Sequence, residues 1–268
     1  MHRKTICFIL LGLILLATAC TSTFPATQET TLTVLAAASL TEPFEEIGAL
    51  FEEENPGVTI QFSFTGSQQL AQQLAEGAPA DVFASANLKY MNETVANGRV
   101  TEGSAVIFVT NQLVVITPLE NPAKIQTLTD LAQVNIKLVL AAEAVPVGKY
   151  SLEFLEKASQ DARYSTSFKQ DVLANVVSYE DNVKSVLTKI LLGEADAGIV
   201  YTSDVSGDAS GEVLQIPIPS HLNVIAEYPI ATISDSANVA LAQLFIDYVT
   251  SEKGSEVLTR FGFQPTNQ

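Results

Sequence analysis

The regular alternation of strand-like and helix-like segments is the feature that most constrains this chain. Residues 31–37 (TLTVLAA) form an apolar run that predicts a strand. Residues 41–54 follow, and Phe44, Ile47 and Phe51 recur there at the spacing of one helix face. A chain that switches repeatedly between these two periods must pack helices against a sheet.

The same alternation continues to the end of the chain. The further predicted strands cover residues 58–64, 81–85, 112–117, 137–141, 197–201 and 228–233. The further predicted helices cover residues 67–76, 152–158, 183–192 and 239–250. Strand–helix alternation is typical of α/β folds with mostly parallel sheets, whose ligands bind beyond the carboxyl ends of the strands. We therefore expect an α/β fold, with a length that suits two lobes around a cleft.

The N-terminal segment has the pattern of a secretory signal. Arg3 and Lys4 precede an apolar run over residues 6–17, which ends at Ala17-Thr18-Ala19-Cys20. This predicts a signal peptide over residues 1–20, cut either as an A-x-A site or as a lipobox with Cys20 lipidated. Ala17 stands where a lipobox usually has Leu.

Residues 21–31 are polar, Thr-rich and nearly uncharged, and such a segment forms a flexible tether. A cysteine followed by a tether favours a lipoprotein held outside the cytoplasm on the cell membrane. A free periplasmic protein is the alternative.

Charge and cysteine content exclude several classes of protein. All 30 acidic residues lie beyond residue 20, and the net charge of −16 argues against nucleic acid and anionic membrane surfaces as partners. A buried site for a small anion stays possible, because charges beyond about 8 Å are screened. Since Cys7 lies in the signal, no disulfide can form within the mature chain, and an apolar core must stabilise it.

Two serines stand where a strand gives way to a helix. In AAASLTE (residues 36–42), Ser39 and Glu42 have the spacing of a capping box. The small residues before Ser39 would equally allow an anion to reach backbone amides at a helix start. In FTGSQQL (residues 64–70), Ser67 follows the turn residue Gly66 and is either a helix cap or a donor to such a ligand.

Three later segments allow the same two interpretations. In AVPVGKY (residues 144–150), Pro146 and Gly148 mark a loop that leads into a helix. In EDNV (residues 180–183), Asp181 or Asn182 is a candidate N-cap, which leaves the amide of Val183 near the helix start. Tyr201 ends the strand AGIVY and is either a core residue or a hydroxyl donor in a cleft. Together these segments predict a cage of neutral donors for a small oxyanion.

The same segments resemble blocks of the bacterial periplasmic molybdate-binding proteins. LTVLAAASLTEPFEEIGALFEEENPGV resembles the start of the mature family members, and later blocks follow in the family's order. These blocks are GAPADVFASAN, VPVGKY, EDNV, GIVYTSDV, EYPIA and YVTSEKGSEVLTRFGF. The resemblance covers about residues 32–263. It implies the two-lobed periplasmic-binding-protein fold, with a mostly parallel sheet in each lobe and the oxyanion in the cleft between them.

The resemblance also implies which residues bind the ligand. The donors would be the hydroxyls and amides of Ser39 and Ser67, the amides of Val147 and Val183, and the Tyr201 hydroxyl. Val147 replaces the family's usual Ala, and Gly66 stands where Ser is common, which puts the fit of the pocket and its entrance in doubt.

The implied role is that of the substrate-binding protein of an ABC importer. Its two lobes would close on molybdate or tungstate and deliver it to the membrane permease. We expect a monomer without a cofactor or a bare metal cation. The expected lobes are residues 32–111 plus 229–268 and residues 112–228, with chain crossings near 111–113 and 227–229.

Other functions fit the sequence less well. A receptor for sulfate, phosphate or a small organic acid is the first alternative, although an organic acid would call for an arginine, which none of the five candidate ligand segments contains. A secreted serine hydrolase would need a base, and His221 is the one histidine beyond the signal. There is no G-x-S-x-G motif and no His/Cys cluster with metal-ligand spacing. A role for Glu180 or Asp181 as acceptor from a protonated anion stays open.

Overall fold

The fold is built from strands and helices that alternate along the chain. A computed structural model describes residues 29–206 and 211–266. The strands are β1 Thr30–Ala37, β2 Val58–Thr65, β3 Val82–Ala84, β4 Val106–Pro118, β5 Leu138–Ala141, β6 Val176–Glu180, β7 Ala197–Tyr201, β8 Val213–Pro217, β9 Ile225–Thr232 and β10 Gln264–Pro265. The helices are α1 Thr41–Glu54, α2 Ser67–Ala75, α3 Leu88–Ala96, α4 Pro146–Gln160, α5 Phe168–Ala174, α6 Val183–Leu191, α7 Val239–Thr250 and α8 Glu252–Arg260. Short 3-10 helices cover Ala38–Leu40, Leu128–Ala132 and Thr202–Val205.

The described strands form one continuous sheet in the order β2-β1-β3-β9-β4-β7-β5-β6, with β8 and β10 paired to β4. At one end β2, β1 and β3 run parallel, and at the other end β6, β5 and β7 run parallel. The long strands β9 and β4 join the two parallel groups through antiparallel pairs. The predicted α/β fold is therefore confirmed, with one parallel group in each half of the molecule.

Strand β4 connects the two halves. Its first part, up to Gln112, pairs with β9, whereas from Leu113 onward it pairs with β7 and from Val114 with β8. The side chain of Asn223 accepts the Leu113 amide at 3.0 Å and donates to the Leu113 carbonyl at 2.9 Å. These bonds hold the returning chain at the same place, immediately before β9 begins at Ile225.

The core lies on both faces of the sheet. Aromatic rings from α1, β2, β4 and α7 meet in the first half, where Phe44 contacts Phe62, Phe108 and Phe245 at centroid distances of 5.9 to 6.2 Å. The apolar spacing of α1 that the sequence shows is therefore a buried face. Contacts of this kind stabilise the fold beyond the area that they bury.

One helix begins earlier than the sequence predicts. Helix α4 begins at Pro146 and not near residue 152, because proline is favoured in the first helical turn, where its missing N–H has no partner to lose. Gly148, predicted as a loop residue, lies inside this first turn. A Cβ there would collide with the carbonyl oxygens of Ala141 and Ala142, so glycine allows α4 to start directly against the end of β5.

No helix in residues 29–206 or 211–266 has the length and apolarity needed to cross a bilayer. The predicted signal peptide and tether, including Cys20, lie outside the described residues, apart from the tether's last three positions, 29–31.

Candidate functional site

The predicted site residues come together at one small cavity. All five line this cavity, whose volume is about 210 Å³ including its open mouth: Ser39, Ser67, Val147, Val183 and Tyr201. The cavity lies beyond the carboxyl ends of β1, β2 and β7, and the N-termini of α2, α4 and α6 point at it. This is the position at which open α/β sheets hold their ligands. Among the described residues, none of those lining the cavity carries a charge.

Neither serine is a helix cap. The helix that follows Ser39 has Leu40 as its N-cap, with no side-chain cap bond, and the predicted capping box with Glu42 does not form. For α2 the N-cap is Gly66, again without a side-chain bond, and Ser67 is the first helical residue. The cap interpretation of both serines is wrong, because each hydroxyl has another partner inside the fold.

The hydroxyl of Ser67 has a defined role as acceptor. It accepts the backbone N–H of Ala86 at 2.9 Å, and no described group accepts its own proton. Because an amide N–H can only donate, the Ser67 proton remains available for a ligand in the cavity.

Tyr201 presents a second free hydroxyl. Its side chain is 1% exposed and its Oη has no hydrogen-bond partner in the part of the chain that the structure describes. Burial raises the pKa of this phenol well above its ordinary value, so the proton stays in place near neutral pH. A buried hydroxyl without a partner costs about 1–3 kcal/mol, and a ligand oxygen beside it would remove that cost.

Ser39 contributes a third hydroxyl. Its side chain is buried, and its Oγ lies 2.8 Å from the Oη of Tyr228, a residue on β9 behind the cavity. Tyr228 does not line the cavity itself. Sequence patterns could not find this partner, because it lies 189 residues away along the chain.

Two helix starts add backbone donors. Val147 is the second residue of α4 and Val183 is the first residue of α6. Amides in the first turn of a helix have no intrahelical acceptor, and the helix dipole favours an anion beside them. Asn182 is the N-cap of α6 and accepts the Ser185 amide, which leaves the Val183 amide to face the cavity.

The two acidic candidates are directed elsewhere. The carboxylate of Glu180 pairs with Lys189 at 2.7 Å and accepts the Ser178 hydroxyl. Asp181 is outside the cavity lining, and its carboxylate accepts the Asn182 side-chain amide at 2.9 Å. Neither carboxylate is placed to accept a proton from a bound anion.

A family model for bacterial extracellular solute-binding proteins matches residues 32–264. The chain belongs to this family. The match covers nearly all of the described residues, so both halves of the sheet and every segment of the cavity lie within it.

Relatives of this solute-binding protein agree with the resemblance found in the sequence motifs. The molybdate-binding protein ModA of Mycobacterium tuberculosis is 36% identical over 252 residues, which cover 91% of each chain. The putative ABC transporter substrate-binding lipoprotein YvgL of Bacillus subtilis is 28% identical over 98% of this chain and 99% of its own.

A solved structure shows the same fold. The periplasmic molybdate-binding protein of Azotobacter vinelandii aligns with a TM-score of 0.77 at 18% identity, over 88% of this chain and 100% of that one. The similarity to molybdate-binding proteins and the α/β fold of the periplasmic binding proteins are therefore confirmed.

The solute-binding protein also has a charged cluster beside the cavity, which the sequence did not reveal. Lys184, next to Val183, lies 2.8 Å from Glu42 on α1 and 3.5 Å from Asp204, which follows β7. Asp204 is fully buried and accepts the Tyr201 amide at 3.0 Å. The lysine therefore links the half that holds Ser39 to the half that holds Tyr201.

Burial dominates the ionisation of this cluster. It raises the pKa of Asp204 to about 6, and the nearby ammonium of Lys184 only partly offsets the effect. Burial also opposes the charge of Lys184, but Asp204 and Glu42 outweigh it and raise the pKa of the lysine. Lys184 is therefore charged at neutral pH, while Asp204 takes up a proton in mildly acidic solution.

We predict that Asp204 makes stability depend on pH between about 4 and 6. In that range the folded protein holds a proton that the unfolded chain has released, so this contribution to stability is lost as pH rises. In Asp204→Asn the side chain stays neutral. The parent's free energy of unfolding relative to the variant should therefore fall as pH rises from 4 to 6, by at most on the order of 3 kcal/mol, and stay level above 7.

Urea denaturation of both proteins at four pH values measures this difference. Asp247→Asn, at an exposed position on α7, is the control and should show no such trend. A constant difference between parent and Asp204→Asn from pH 4 to 7 would mean that burial does not raise the pKa of Asp204.

Proposed function

We propose that this solute-binding protein binds molybdate or tungstate in the cavity and delivers it to the permease of an ABC importer. The observation that carries the proposal is the convergence of free hydroxyl protons and first-turn amides on one small uncharged space. The relatives named as molybdate-binding proteins support the choice of anion.

The kind of donor favours a fully ionised anion. Hydroxyls and amides can surround a tetrahedral dianion whose oxygens all accept hydrogen bonds. A protonated phosphate has a hydroxyl of its own and would need an acceptor, and Glu180 and Asp181 are turned away from the cavity. Sulfate has the same shape and charge as molybdate, so it is the alternative against which the size of the cavity must discriminate.

The proposed role is binding without catalysis. A serine hydrolase would place a general base beside Ser39 or Ser67. His221 instead contacts Asp161 at 3.1 Å on the surface and does not line the cavity. The serine hydroxyls contact Tyr228 and the Ala86 amide, which are partners for positioning a donor. We propose that binding requires neither a cofactor nor a bare metal cation.

We propose that the two halves are lobes that close on the anion, residues 32–111 plus 229–268 and residues 112–228. The change of partner in β4 after Gln112 supports the first boundary, while the pairing of β9 favours a second boundary just before Ile225. In the present conformation the halves are in contact across the cavity, through Lys184 with Glu42 and through Gln68 with the Asp181 carbonyl. A ligand that bridges both halves would favour this closed state.

We propose that the mature protein is a monomer anchored outside the cytoplasm by a lipid on Cys20. The lipobox-like sequence and the tether support the anchor, as does the lipoprotein name of the Bacillus subtilis relative. The proposed partner in the membrane is the permease, which would distinguish the closed from the open form.

We predict that removing each hydroxyl from the cavity weakens anion binding. A hydrogen bond to a charged group contributes about 1.5–3 kcal/mol, so Ser39→Ala, Ser67→Ala and Tyr201→Phe should each lower molybdate affinity about ten- to a hundredfold. Calorimetric titration of the parent and the variants with molybdate, tungstate, sulfate and phosphate measures the effect and identifies the preferred anion.

Tyr201→Phe gives the sharpest comparison. Because its Oη has no described partner, its removal should leave the melting temperature without ligand unchanged or slightly higher. Variants that melt lower but bind molybdate as the parent does would assign these residues to structure, and a parent that prefers sulfate or phosphate would replace the proposed ligand.

We predict that Gly66→Ala impairs closure without harming the free protein. A Cβ on Gly66 would lie 2.6 Å from the carbonyl oxygen of Asp181 on the opposite side of the cavity. The backbone angles of Gly66, φ −63° and ψ 138°, suit alanine, so melting without ligand should not change. Molybdate affinity should fall about tenfold or more, since overpacking costs about 1–3 kcal/mol. Unchanged affinity would mean that this contact is not part of the bound state.

We predict that Cys20→Ser releases the protein from the membrane fraction. Without the thiol, a lipid cannot be attached, and the polar tether alone has no affinity for a bilayer. Fractionation of cells that express the parent or the variant measures the change. A parent that is freely soluble, with an unmodified Cys20 at its N-terminus, would establish the free periplasmic form.

A further inference from the structure

A chain of buried hydrogen bonds lies directly behind Ser39. The exposed fractions of Ser39, Tyr228 and Asn111 are 3%, 0% and 1%. The Oη of Tyr228 lies 2.8 Å from the Ser39 Oγ, and the Nδ2 of Asn111 lies 3.5 Å from the same Oη. Ser39 is the member of this chain that reaches the cavity, and the other two members are outside its lining.

The orientation of the Asn111 amide sets the direction of the chain. Its Oδ1 faces the backbone N–H of Gln112 at 2.9 Å, and a backbone N–H can only donate. The hydroxyl of Thr202 donates to the same oxygen at 3.0 Å. The oxygen and nitrogen of the amide are therefore distinguished by their partners, and the NH₂ group faces Ser203 at 2.7 Å and Tyr228.

The direction of hydrogen-bond donation then runs from Asn111 through Tyr228 to Ser39. Because Asn111 presents an N–H to the Tyr228 hydroxyl, the phenolic proton must point away from it. The Ser39 Oγ lies 2.8 Å away and can accept this proton, so we infer that Tyr228 donates to Ser39. Ser39 then accepts a hydrogen bond from the side of the core, which leaves its own proton free for a ligand in the cavity.

We propose that Tyr228, oriented by Asn111, is a positioning residue that fixes the Ser39 hydroxyl as a hydrogen-bond donor to the bound anion. This inference rests on the proposed function in one respect, which is that the cavity binds an oxyanion. Burial raises the pKa of Tyr228, so the phenol keeps the proton that it donates throughout the neutral range. Without the Tyr228 hydroxyl, the Ser39 hydroxyl would be free to rotate. Fixing its orientation on binding would then cost entropy and weaken the affinity for the anion.

The test is a double-mutant cycle on anion affinity between Tyr228→Phe and Ser39→Ala. Tyr228→Phe should weaken binding about three- to tenfold in the parent, because a positioned donor becomes an unpositioned one. In the Ser39→Ala background the same change should have less than about a twofold effect. Tyr248→Phe is the matched control, since its hydroxyl contacts Glu54 on the surface, and it should bind as the parent does.

The cycle is run on whichever of molybdate, tungstate, sulfate and phosphate the parent binds most tightly. A parent that prefers sulfate or phosphate overturns the proposed ligand but leaves the role of Tyr228 open to the same measurement. If the parent binds none of the four anions, both proposals fail. Equal losses in the two backgrounds, or no loss in either, would overturn the positioning role.

Asn111→Ala provides a second arm that leaves the phenol in place. It should also weaken binding in the parent and have little further effect when Ser39 is already alanine. Melting temperatures without ligand accompany every titration. A loss of affinity that follows the loss of melting temperature in both backgrounds would show that Tyr228 and Asn111 only support the fold.

Discussion

Binding in the cavity depends on hydrogen-bond donors that the fold buries and leaves without an acceptor. The hydroxyl of Tyr201 has no described partner, and that of Ser67 accepts an amide but gives its own proton to no described group. A folded chain satisfies nearly all of its buried polar groups, because each unsatisfied one costs about 1–3 kcal/mol. Donors that stay free in one small space are therefore a cost to the empty protein that a ligand of matching acceptors would remove. This cost can be recovered on binding only because the surrounding strands and helix starts hold the donors in position.

Much of this arrangement could be predicted from the sequence. Helices α1 and α7 occupy the predicted residues because their apolar spacing is unambiguous, and the five predicted site residues do line one cavity. The start of α4 was missed, since Pro146 and Gly148 break helices in most positions and are compatible with one only in its first turn. The sequence also allowed Ser39 and Ser67 to be helix caps, and the structure excludes that alternative. Local spacing predicts a cap, but partners distant in the chain, Tyr228 and Ala86, determine where each hydroxyl points.

The charged contacts beside the cavity could not be predicted from the sequence either, because their partners are distant along the chain. Lys184 joins Glu42 and Asp204, which are 142 and 20 residues away along the chain, and no local motif connects them. The reason for a glycine at position 66 also lies in a contact with a distant part of the chain. The sequence shows only that a small residue replaces the serine common in the family, whereas the structure places the Asp181 carbonyl where a side chain would begin. Both features concern how the two halves meet, which is a property of the folded molecule and not of any single segment.

The proposed binding of a dianion is compatible with an acidic protein because the local field in the cavity differs from the net charge of the chain. The formal net charge is −16, but charges on the outer surface are screened over about 8 Å at physiological salt. Lys184, which follows the lining residue Val183, is already paired with Glu42 and with Asp204, so it adds little net positive charge. The attraction must then come from the first-turn amides and oriented hydroxyls, which are fixed dipoles in a water-poor space. Neutral donors also avoid the desolvation of a second buried charge, and they make the number and direction of hydrogen bonds, rather than total charge, the basis on which anions are distinguished. The orientation of a single hydroxyl such as that of Ser39 therefore matters more here than it would in a site built on arginine or lysine.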